Sequence, residues 1–542
     1  MYRDDAVGRK IAVRLITTVA LTTSILHVAC AALPDKRLVY CSEASPMGFD
    51  PSQLFNGVDY TAAGRTIYDP LIRFDRNMLT LKPGLATDWR VSQDGRIYTF
   101  HLRRGVKFHT TPWFKPTRDF NAEDVVFTFE RMRNPNMPFR RAYPAEFPFW
   151  TISGFNKTVE SIEALDPYTV RFILNTVHAP FLPYLTAPSA SILSAEYAAQ
   201  LLKAGKPSDI NQYPVGTGPF IFRKYIPDAA IDFNGNSHYW NPVDVKLAKL
   251  TFLITPDTKV QVQKLKANEC QVISAAPLED IPALERNPNF RYLATPEFSI
   301  GYLAYNVTHK PLNDVQVRHA LDMAVDKKAI IDMVFRGRAK VAVAPLPPLQ
   351  WGYDNTLKDV PRDIKKAKQL LVQAGYPNGF SVTLWTLPVP RPYNPNPRLM
   401  AEIIQSDWRK IGVRAKIVTY EFGEYLKRGM KGEHDTMLVG VGGIRCGDPV
   451  NFFNPYMCDA LSGTNFAKWC FQPFDDLLEQ AVRTLDRGKR TALYLKAQAL
   501  FKREQPVTPI AYPVFYQIMN KKVMGFKVDP FGTVSFAGVG LQ

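Results

Sequence analysis

Arg391 stands in a proline-rich segment that could hold a guanidinium group in one place. Residues 387–397 read LPVPRPYNPNP, with five prolines among eleven residues and no glycine. Proline restricts its own φ angle and the conformation of the residue before it, so this backbone is stiff and mostly extended. A guanidinium presents a planar fork that matches a carboxylate. The local sequence by itself favours a solvated arginine on a surface loop, and the alternative is an arginine held in place to bind a carboxylate.

The motifs of the common enzyme classes are absent from the sequence. It contains no GxSxG nucleophile elbow, no HExxH and no P-loop. Residues 216–220, GTGPF, lack the dinucleotide-binding spacing, and the glycine-rich residues 440–447 lack the lysine and Ser/Thr of a phosphate cradle. The eight histidines are scattered. We therefore predict a binding protein rather than an enzyme, with no catalytic residue, no metal and no resident cofactor.

The Arg391 segment connects two predicted elements. Residues 380–387 are predicted to form a strand, and residues 398–411 a helix with an apolar face. In α/β architecture, the loops between strands and helices commonly carry ligand sites. Helical spacing of apolar residues also predicts one continuous helix over residues 317–335. Strands and helices alternate irregularly along the whole chain, as in mixed α/β domains.

Two further elements are predicted near the start of the chain. Residues 96–103 alternate polar and apolar side chains, which is typical of a strand, and a turn signal precedes them. Residues 122–132 are predicted to form a helix capped by Asn121, because Glu123 and Asp124 suit its first turn.

Length and composition indicate a multidomain globular protein. The chain has 542 residues, of which 46% are hydrophobic. A chain of this length is too long for one small hydrophobic core and is expected to form two or three domains. The formal charge is +17, but the basic residues are spread along the chain. This pattern favours a solvated surface, so we predict no nucleic-acid partner. An adhesin or nucleic-acid binder remains the alternative for the charge, and a secreted hydrolase remains an alternative class.

The first 31 residues are predicted to be a signal peptide. Four basic residues precede an apolar run at 15–29, and Ala29-Cys30-Ala31 supplies a small-x-small cleavage pattern. A periplasmic protein is therefore expected. Lipid anchoring through Cys30 is the less favoured reading, because the three preceding residues lack the usual leucine.

The remaining cysteines favour disulfides over metal binding, since no CxxC is present and export leads to an oxidising compartment. Cys458 and Cys470 could close a short loop, and Cys41 and Cys270 could form a long-range bridge. Five cysteines remain after Cys30, so at least one thiol is unpaired.

An ordered series of motifs resembles the periplasmic dipeptide-binding proteins, within the family 5 solute-binding proteins that serve ABC importers. The resemblance covers essentially the whole chain after the signal peptide. Each motif alone is weakly specific, whereas the ordered set is strongly so. The motifs are LVYCSEASPMGFD (38–50), PGLATDW (83–89), DGRIYTFHLRRGV (94–106), NAEDVVFTF (121–129), GTGPF (216–220), GYLAYN (301–306), VRHAL (317–321), WGY (351–353), RPYNPN (391–396), GDP (447–449) and KWC (468–470).

This resemblance implies an α/β, two-lobed periplasmic binding protein of the class II type, in its three-domain variant, with a hinge and a ligand cleft between the lobes. Lobe I is expected over residues 32–297 plus 515–542, with a smaller subdomain near 76–189. Lobe II is expected over residues 298–514. The resemblance also implies the disulfides Cys41–Cys270 and Cys458–Cys470, which leaves Cys446 free.

The resemblance further implies a ligand site around Arg391, which matches the arginine that grips the ligand carboxylate in dipeptide binders. Those proteins hold the ligand α-amino group with an aspartate in a WTGDNGDP-like loop. The corresponding loop here, residues 440–449, has Ile444 or Arg445 in place of that aspartate and Val441 in place of the tryptophan. An unpaired buried ammonium costs roughly 3–5 kcal/mol, so a free dipeptide is expected to bind poorly unless another acid substitutes. The expected ligand-binding residues are Arg391, Tyr393, Asn56, Gly57, Gly440, Val441, Ile444 and Arg445.

The expected function is delivery of di- or oligopeptides to an ABC transporter by hinge closure. Asp448 matches the second acid of the loop, which lies beyond the pocket. Residues 111–118 and 531–539 resemble the Sap-type antimicrobial-peptide-resistance proteins, and some members of these groups bind haem. Haem, an antimicrobial peptide or another carboxylate ligand is therefore the alternative ligand. The expected partners are the ligand and an inner-membrane permease with its ATPases, and the protein is expected to be a monomer.

Overall fold

The structure is a computed structural model that describes residues 36–54, 56–75, 80–442, 447–527 and 531–542. The predicted signal peptide, including Cys30, lies outside the described residues. The loop residues Ile444, Arg445 and Cys446 lie outside them as well.

The described strands form one large mixed sheet and three smaller sheets. The strands are β1 (Arg37–Ser42), β2 (Ile72–Phe74), β3 (Leu81–Pro83), β4 (Ala86–Val91), β5 (Ile97–Leu102), β6 (Val159–Asp166), β7 (Thr169–Leu174), β8 (Phe220–Ile226), β9 (Ala230–Gly235), β10 (Lys249–Ile254), β11 (Val272–Ile273), β12 (Phe290–Pro296), β13 (Ser299–Tyr305), β14 (Ala339–Val341), β15 (Ser381–Trp385), β16 (Arg414–Val418), β17 (Thr436–Gly442), β18 (Val507–Asn520), β19 (Val523–Met524) and β20 (Gly540–Leu541). The large sheet has the order β16-β15-β17-β13-β18-β11-β1-β10-β9-β8, and β12 and β14 also pair with β18. The order β4-β5-β7-β6 forms a separate antiparallel sheet.

Helices connect these strands throughout the described part of the chain. They are α1 (Gly57–Asp59), α2 (Ala122–Arg133), α3 (Pro138–Ala142), α4 (Pro148–Ile152), α5 (Phe155–Thr158), α6 (Phe181–Tyr184), α7 (Ala195–Lys203), α8 (Thr258–Lys266), α9 (Ile281–Arg286), α10 (Val315–Ala324), α11 (Lys327–Val334), α12 (Ile364–Gln373), α13 (Pro397–Arg409), α14 (Phe422–Lys431), α15 (Val450–Phe453), α16 (Gln472–Val482) and α17 (Arg487–Glu504). No helix in the described ranges is long and apolar enough to cross a membrane.

Local sequence signals account for several of these elements. The side chain of Asn121 accepts a hydrogen bond from the Glu123 backbone N–H (2.9 Å), and the Asp124 carboxylate accepts one from the Asn121 backbone N–H (2.9 Å). These two bonds satisfy donors that the first turn of α2 would otherwise leave unpaired. The predicted helix at 122–132 and the predicted strand at 96–103 are therefore confirmed to within a residue at each end.

The prediction of one continuous helix over residues 317–335 is wrong. The structure has two helices there, α10 and α11, which separate at Val325 and Asp326. The Asp326 carboxylate accepts a hydrogen bond from the Ala329 backbone N–H (2.9 Å), and its own N–H donates to the Asp407 carboxylate (2.9 Å). The capping aspartate and its tertiary partner begin a new helix, although the apolar spacing alone continues across the break.

The buried hydrophobic side chains form separate clusters that meet along β18. The largest cluster draws on residues 38–272 and 519–539. Two further clusters draw on residues 298–512 with Phe531. The first half of β18 pairs with β13 and β14, and the second half pairs with β11 and β12. The architecture is mixed α/β, and the clusters from the earlier and the later parts of the chain include different residues of this shared strand.

Candidate ligand-binding site

Residues 391–394 form a closed turn between β15 and α13. The Arg391 backbone N–H donates to the Asn394 carbonyl (3.0 Å), and the Asn394 N–H donates to the Arg391 carbonyl (2.8 Å). The Asn396 side chain then caps α13 by accepting a hydrogen bond from the Leu399 N–H (3.2 Å). Since the intervening prolines restrict the backbone further, the turn and the helix start hold Arg391 in a defined position.

Two glycines allow this turn to lie close against the sheet. Gly301 in β13 and Gly440 in β17 are register partners on adjacent strands. A Cβ atom at Gly301 would overlap the Tyr393 carbonyl oxygen, and one at Gly440 would overlap the Tyr393 ring. Glycine inside a strand often marks such a close approach. The predicted site residues Arg391, Tyr393 and Gly440 are therefore in one place, and Gly301, which sequence reasoning did not select, completes the support.

The Arg391 side chain carries a positive charge with few partners. Its guanidinium lies 4.2 Å from the ring centre of Phe422, at the start of α14. Its one hydrogen bond to a described residue is a long one of 3.4 Å to the Pro390 carbonyl. No carboxylate among the described residues lies within 4.0 Å of it. The guanidinium is thus positioned by stacking and remains available to bind an anion.

Two neighbours of Arg391 are also unusual. Burial raises the pKa of the Tyr393 hydroxyl, while the Arg391 charge acts in the opposite direction. Asn394 is only 2% exposed, and neither polar atom of its side chain has a hydrogen-bond partner in the described part of the chain. Buried amides usually have partners, so this amide has hydrogen-bonding capacity that the described residues do not use.

The positive charge of Arg391 affects the Glu43 carboxyl, although the two residues are far apart in the sequence. It directly follows β1 and is exposed to solvent. The surrounding protein still displaces enough water to raise the pKa of its carboxyl, and the Arg391 guanidinium partly offsets this. Sequence reasoning did not select Glu43, although an acid immediately after a buried strand was a possible signal.

The other predicted site residues have different surroundings. Asn56 caps α1 by accepting a hydrogen bond from the Asp59 N–H (3.0 Å), and its amide donates to the Asp59 carboxylate (2.5 Å). Gly57 is the first residue of that helix, and no described contact joins either residue to Arg391. Val441 is buried in β17, opposite Ile300. Ile444 and Arg445 lie outside the described residues.

The buried carboxylate of Asp448 already has partners within the protein. Its carboxylate accepts hydrogen bonds from one guanidinium nitrogen of Arg490 (2.9 and 2.8 Å) and from the Tyr494 hydroxyl (3.1 Å). Because this acid is neutralised within the protein, it is not free to bind a ligand cation.

Both expected disulfides are present. Cys41 pairs with Cys270, and their Cα atoms lie 5.8 Å apart. Cys458 pairs with Cys470, with a Cα separation of 4.6 Å. The first bridge ties Cys41, near the end of β1 and two positions before Glu43, to Cys270, which precedes β11. No group of three or more His, Cys, Asp or Glu side chains in the described ranges is arranged to hold a metal ion.

Two hydrogen bonds join residues that are far apart in the sequence and do not involve Arg391. The Tyr184 hydroxyl donates to the Asn451 side-chain oxygen (2.5 Å), and the Ala179 N–H donates to the Val482 carbonyl (2.8 Å). These bonds connect α6 and the residues before it to α15 and α16, which come much later in the chain.

Comparisons with known proteins identify the family. The model of bacterial extracellular solute-binding proteins, family 5 Middle, matches residues 80–463. The chain is 53% identical to Di/tripeptide-binding protein 1 of Pseudomonas aeruginosa (strain UCBPP-PA14), over 96% of this chain and 98% of that protein. It is 40% identical to Heme-binding protein A of Haemophilus influenzae (strain ATCC 51907 / DSM 11121 / KW20 / Rd), over 93% and 92% of the two chains.

A solved structure extends the likeness to the fold. The dipeptide binding protein from Pseudoalteromonas sp. SM9913, in complex with Met-Leu, has a TM-score of 0.83 and 37% identity, and the match covers 94% of this chain and all of that one. The predicted two-lobed α/β binding-protein fold is thus confirmed. Since the family model matches well over half of the chain, this protein belongs to the bacterial extracellular solute-binding proteins of family 5.

Proposed function

We propose that this protein is an extracytoplasmic receptor that binds di- or oligopeptides and delivers them to an ABC importer. The observation that carries the proposal is Arg391, whose guanidinium is held on a closed turn, stacks on Phe422 and has no carboxylate among the described residues within 4.0 Å. A peptide C-terminal carboxylate would supply two charge-assisted hydrogen bonds there. The 53% identical di/tripeptide-binding relative and the Met-Leu complex support a peptide as the ligand.

The proposed site extends from Arg391 to both sides of the cleft. Tyr393, Gly440 and Val441 would line it from one side, because they belong to the same turn and strand. Asn56 and Gly57 would line it from the other. Ile444 and Arg445 would complete the loop after β17. All these residues would bind the ligand, and none would act as an acid, a base or a nucleophile.

The ligand would be enclosed by closure of two lobes. We assign residues 32–297 with 515–542 to lobe I, including a subdomain at about 76–189, and residues 298–514 to lobe II. The division of the hydrophobic clusters along β18 supports these bounds. The strands that cross between the clusters would act as the hinge.

The proposed location and partners follow from the proposed role in delivering a ligand to an ABC importer. The predicted signal peptide supports a periplasmic protein, with lipid anchoring through Cys30 as the less favoured arrangement. A monomeric receptor would then pass its ligand to an inner-membrane permease and its ATPases. Neither nucleic acid nor a resident cofactor is required for this role.

A second candidate keeps the fold and changes the ligand. The 40% identical relative is named a heme-binding protein, and the sequence has Ile444 or Arg445 where dipeptide binders have an aspartate. Haem propionates, an antimicrobial peptide or another carboxylate ligand would also engage Arg391.

Calorimetry with Met-Leu, trialanine and haem tests both candidates. Peptide binding by the wild-type protein is expected, together with a thermal shift, because a ligand at 100 times its dissociation constant adds about 2.7 kcal/mol to native-state stability. Arg391→Ala should weaken peptide binding roughly a hundredfold, since hydrogen bonds to charged groups contribute about 1.5–3 kcal/mol each. Arg398→Ala is the matched control, because that exposed arginine pairs with Glu402 on the surface of α13.

The outcomes separate the candidates. Binding of haem without either peptide would support the second candidate and overturn the first. Peptide binding that is equally strong in Arg391→Ala and in the wild-type protein would remove Arg391 from the site.

A further inference from the structure

We propose that Phe422 makes the site selective for a free carboxylate, because its ring fixes the direction from which a ligand reaches Arg391. This inference rests on the proposed peptide-binding function and adds a positioning residue to it. Phe422 acts through the arginine, whereas the guanidinium itself bonds to the ligand.

The ring of Phe422 covers one side of the Arg391 guanidinium. The central carbon of that group lies over the ring, 4.2 Å from its centre, which is well within the range of about 6 Å for a cation–π contact. The long hydrogen bond to the Pro390 carbonyl (3.4 Å) is a weak restraint by comparison. The guanidinium donors lie in the plane of the group, so the stacked face is closed to a ligand and the N–H edge is available.

The first turn of α14 holds Phe422 against the sheet. Phe422 is the first residue of this helix, and the Glu421 carboxylate caps it by accepting a hydrogen bond from the Gly423 N–H (2.9 Å). Tyr425, three residues after Phe422, is fully buried, and its hydroxyl donates to the Leu438 carbonyl in β17 (2.7 Å). The start of the helix is therefore fixed to β17.

The same strand supports the turn that carries Arg391. Gly440 lies two residues after Leu438 in β17, and a Cβ atom there would overlap the Tyr393 ring. Both partners of the stack thus rest on neighbouring positions of one strand. The arginine is held in place by the protein itself, so less side-chain entropy is lost when a ligand binds.

Acids near the start of α14 already have partners within the protein. The Glu421 carboxylate accepts hydrogen bonds from two backbone N–H groups of the first turn. The Glu424 carboxylate accepts one from the Arg428 side chain (2.7 Å). No carboxylate among the described residues lies within 4.0 Å of Arg391. The free edge of the guanidinium is therefore left for an anion from outside the chain.

A guanidinium that presents only its edge discriminates between a carboxylate and a carboxamide. A carboxylate has two acceptor oxygens in one plane and can accept two parallel hydrogen bonds from that edge. A carboxamide has one acceptor oxygen, and its NH₂ group would face a second N–H donor of the guanidinium. A guanidinium free to turn could instead offer one N–H group to the amide oxygen, so the stack on Phe422 increases the preference for the acid.

The test compares Met-Leu with its C-terminal amide. Calorimetry would measure both ligands with the wild-type protein, Phe422→Leu, Phe422→Trp and the control Tyr168→Leu. The control removes an aromatic ring from beneath another arginine, because the Arg104 guanidinium lies 4.1 Å from the Tyr168 ring centre, and neither residue belongs to the proposed site. Urea unfolding of each variant would establish that it is folded.

We expect the wild-type protein and Tyr168→Leu to prefer the free acid by about tenfold or more, since the amide loses a charge-assisted hydrogen bond. Phe422→Leu should bind Met-Leu about 5- to 30-fold more weakly, which corresponds to the loss of one cation–π contact. Its affinity for the amide should stay within about twofold of wild type. Phe422→Trp should bind Met-Leu within about threefold of wild type, because an indole ring also stacks on a guanidinium.

Four results would overturn the inference. Met-Leu could bind Phe422→Leu as tightly as it binds the wild-type protein. Both ligands could lose affinity equally in Phe422→Leu, which would mean that the ring only supports the local structure. Phe422→Trp could be as weak as Phe422→Leu, or the wild-type protein could bind the acid and the amide equally. Absence of any Met-Leu binding by the wild-type protein would instead overturn the proposed function, on which the inference depends.

Discussion

Replacing Gly440 by alanine should weaken ligand binding through the turn that carries Arg391. A Cβ atom at this position would overlap the Tyr393 ring and lie 2.7 Å from the Ile300 carbonyl oxygen. Ordinary contacts between carbon atoms are about 3.5–4.0 Å. The turn must therefore move away from β17 by roughly 1 Å, and Arg391 must move with it, because paired backbone hydrogen bonds hold the turn together.

The size of the effect follows from the two kinds of contact involved. Overpacking of this kind costs roughly 1–3 kcal/mol of unfolding free energy. A shift of about 1 Å would stretch charge-assisted hydrogen bonds from about 2.8 Å to beyond about 3.5 Å. Losing one of them, at about 1.5–3 kcal/mol, predicts binding that is roughly 10- to 150-fold weaker. The protein should therefore remain folded while its affinity falls sharply.

Calorimetry with Met-Leu and urea unfolding of the same samples would measure the two effects separately. Gly463→Ala is a suitable control, because a Cβ atom there would meet its nearest neighbour, the Ala460 carbonyl oxygen, at an ordinary 3.8 Å. If Gly440→Ala binds the peptide with wild-type affinity, the contact between Tyr393 and Gly440 does not position Arg391, and the reasoning is refuted.

Two other perturbations test separate parts of the structure. His434 is fully buried, its ring nitrogen lies 2.7 Å from the Phe466 carbonyl oxygen, and burial lowers its pKa to about 4 from the ordinary 6.5. The neutral His434 ring contributes fully to stability above pH 6.5, and this contribution falls by about 3 kcal/mol in total as the pH drops toward 4. In urea unfolding between pH 7.5 and 4.5, His434→Gln should therefore lose less unfolding free energy on acidification than the wild-type protein does. An equal loss in both proteins would contradict this. Tyr184→Phe removes the hydrogen bond to Asn451 across the proposed lobe boundary and should weaken peptide binding about tenfold, because this bond would favour closure of the lobes. Unchanged affinity in calorimetry would show that this contact does not favour closure.

Local structure followed from the sequence where neighbouring residues supply the determining interactions. The capping residues of α2 and the alternation of β5 required only contacts within a few positions, and both predictions are confirmed. The break between α10 and α11 was missed because Asp326 also bonds to Asp407, far away in the sequence. A periodic pattern cannot include such a partner.

The sequence by itself determined the family, through an ordered set of motifs, and identified Arg391 as a rigidly held guanidinium. The resemblance also anticipated both disulfides. Only the tertiary structure decided what surrounds that guanidinium: Gly301 and Gly440 under the turn, Phe422 against the charge, and Glu43 within electrostatic range. These residues come from separate strands and loops, and their proximity depends on sheet register and packing rather than on sequence spacing.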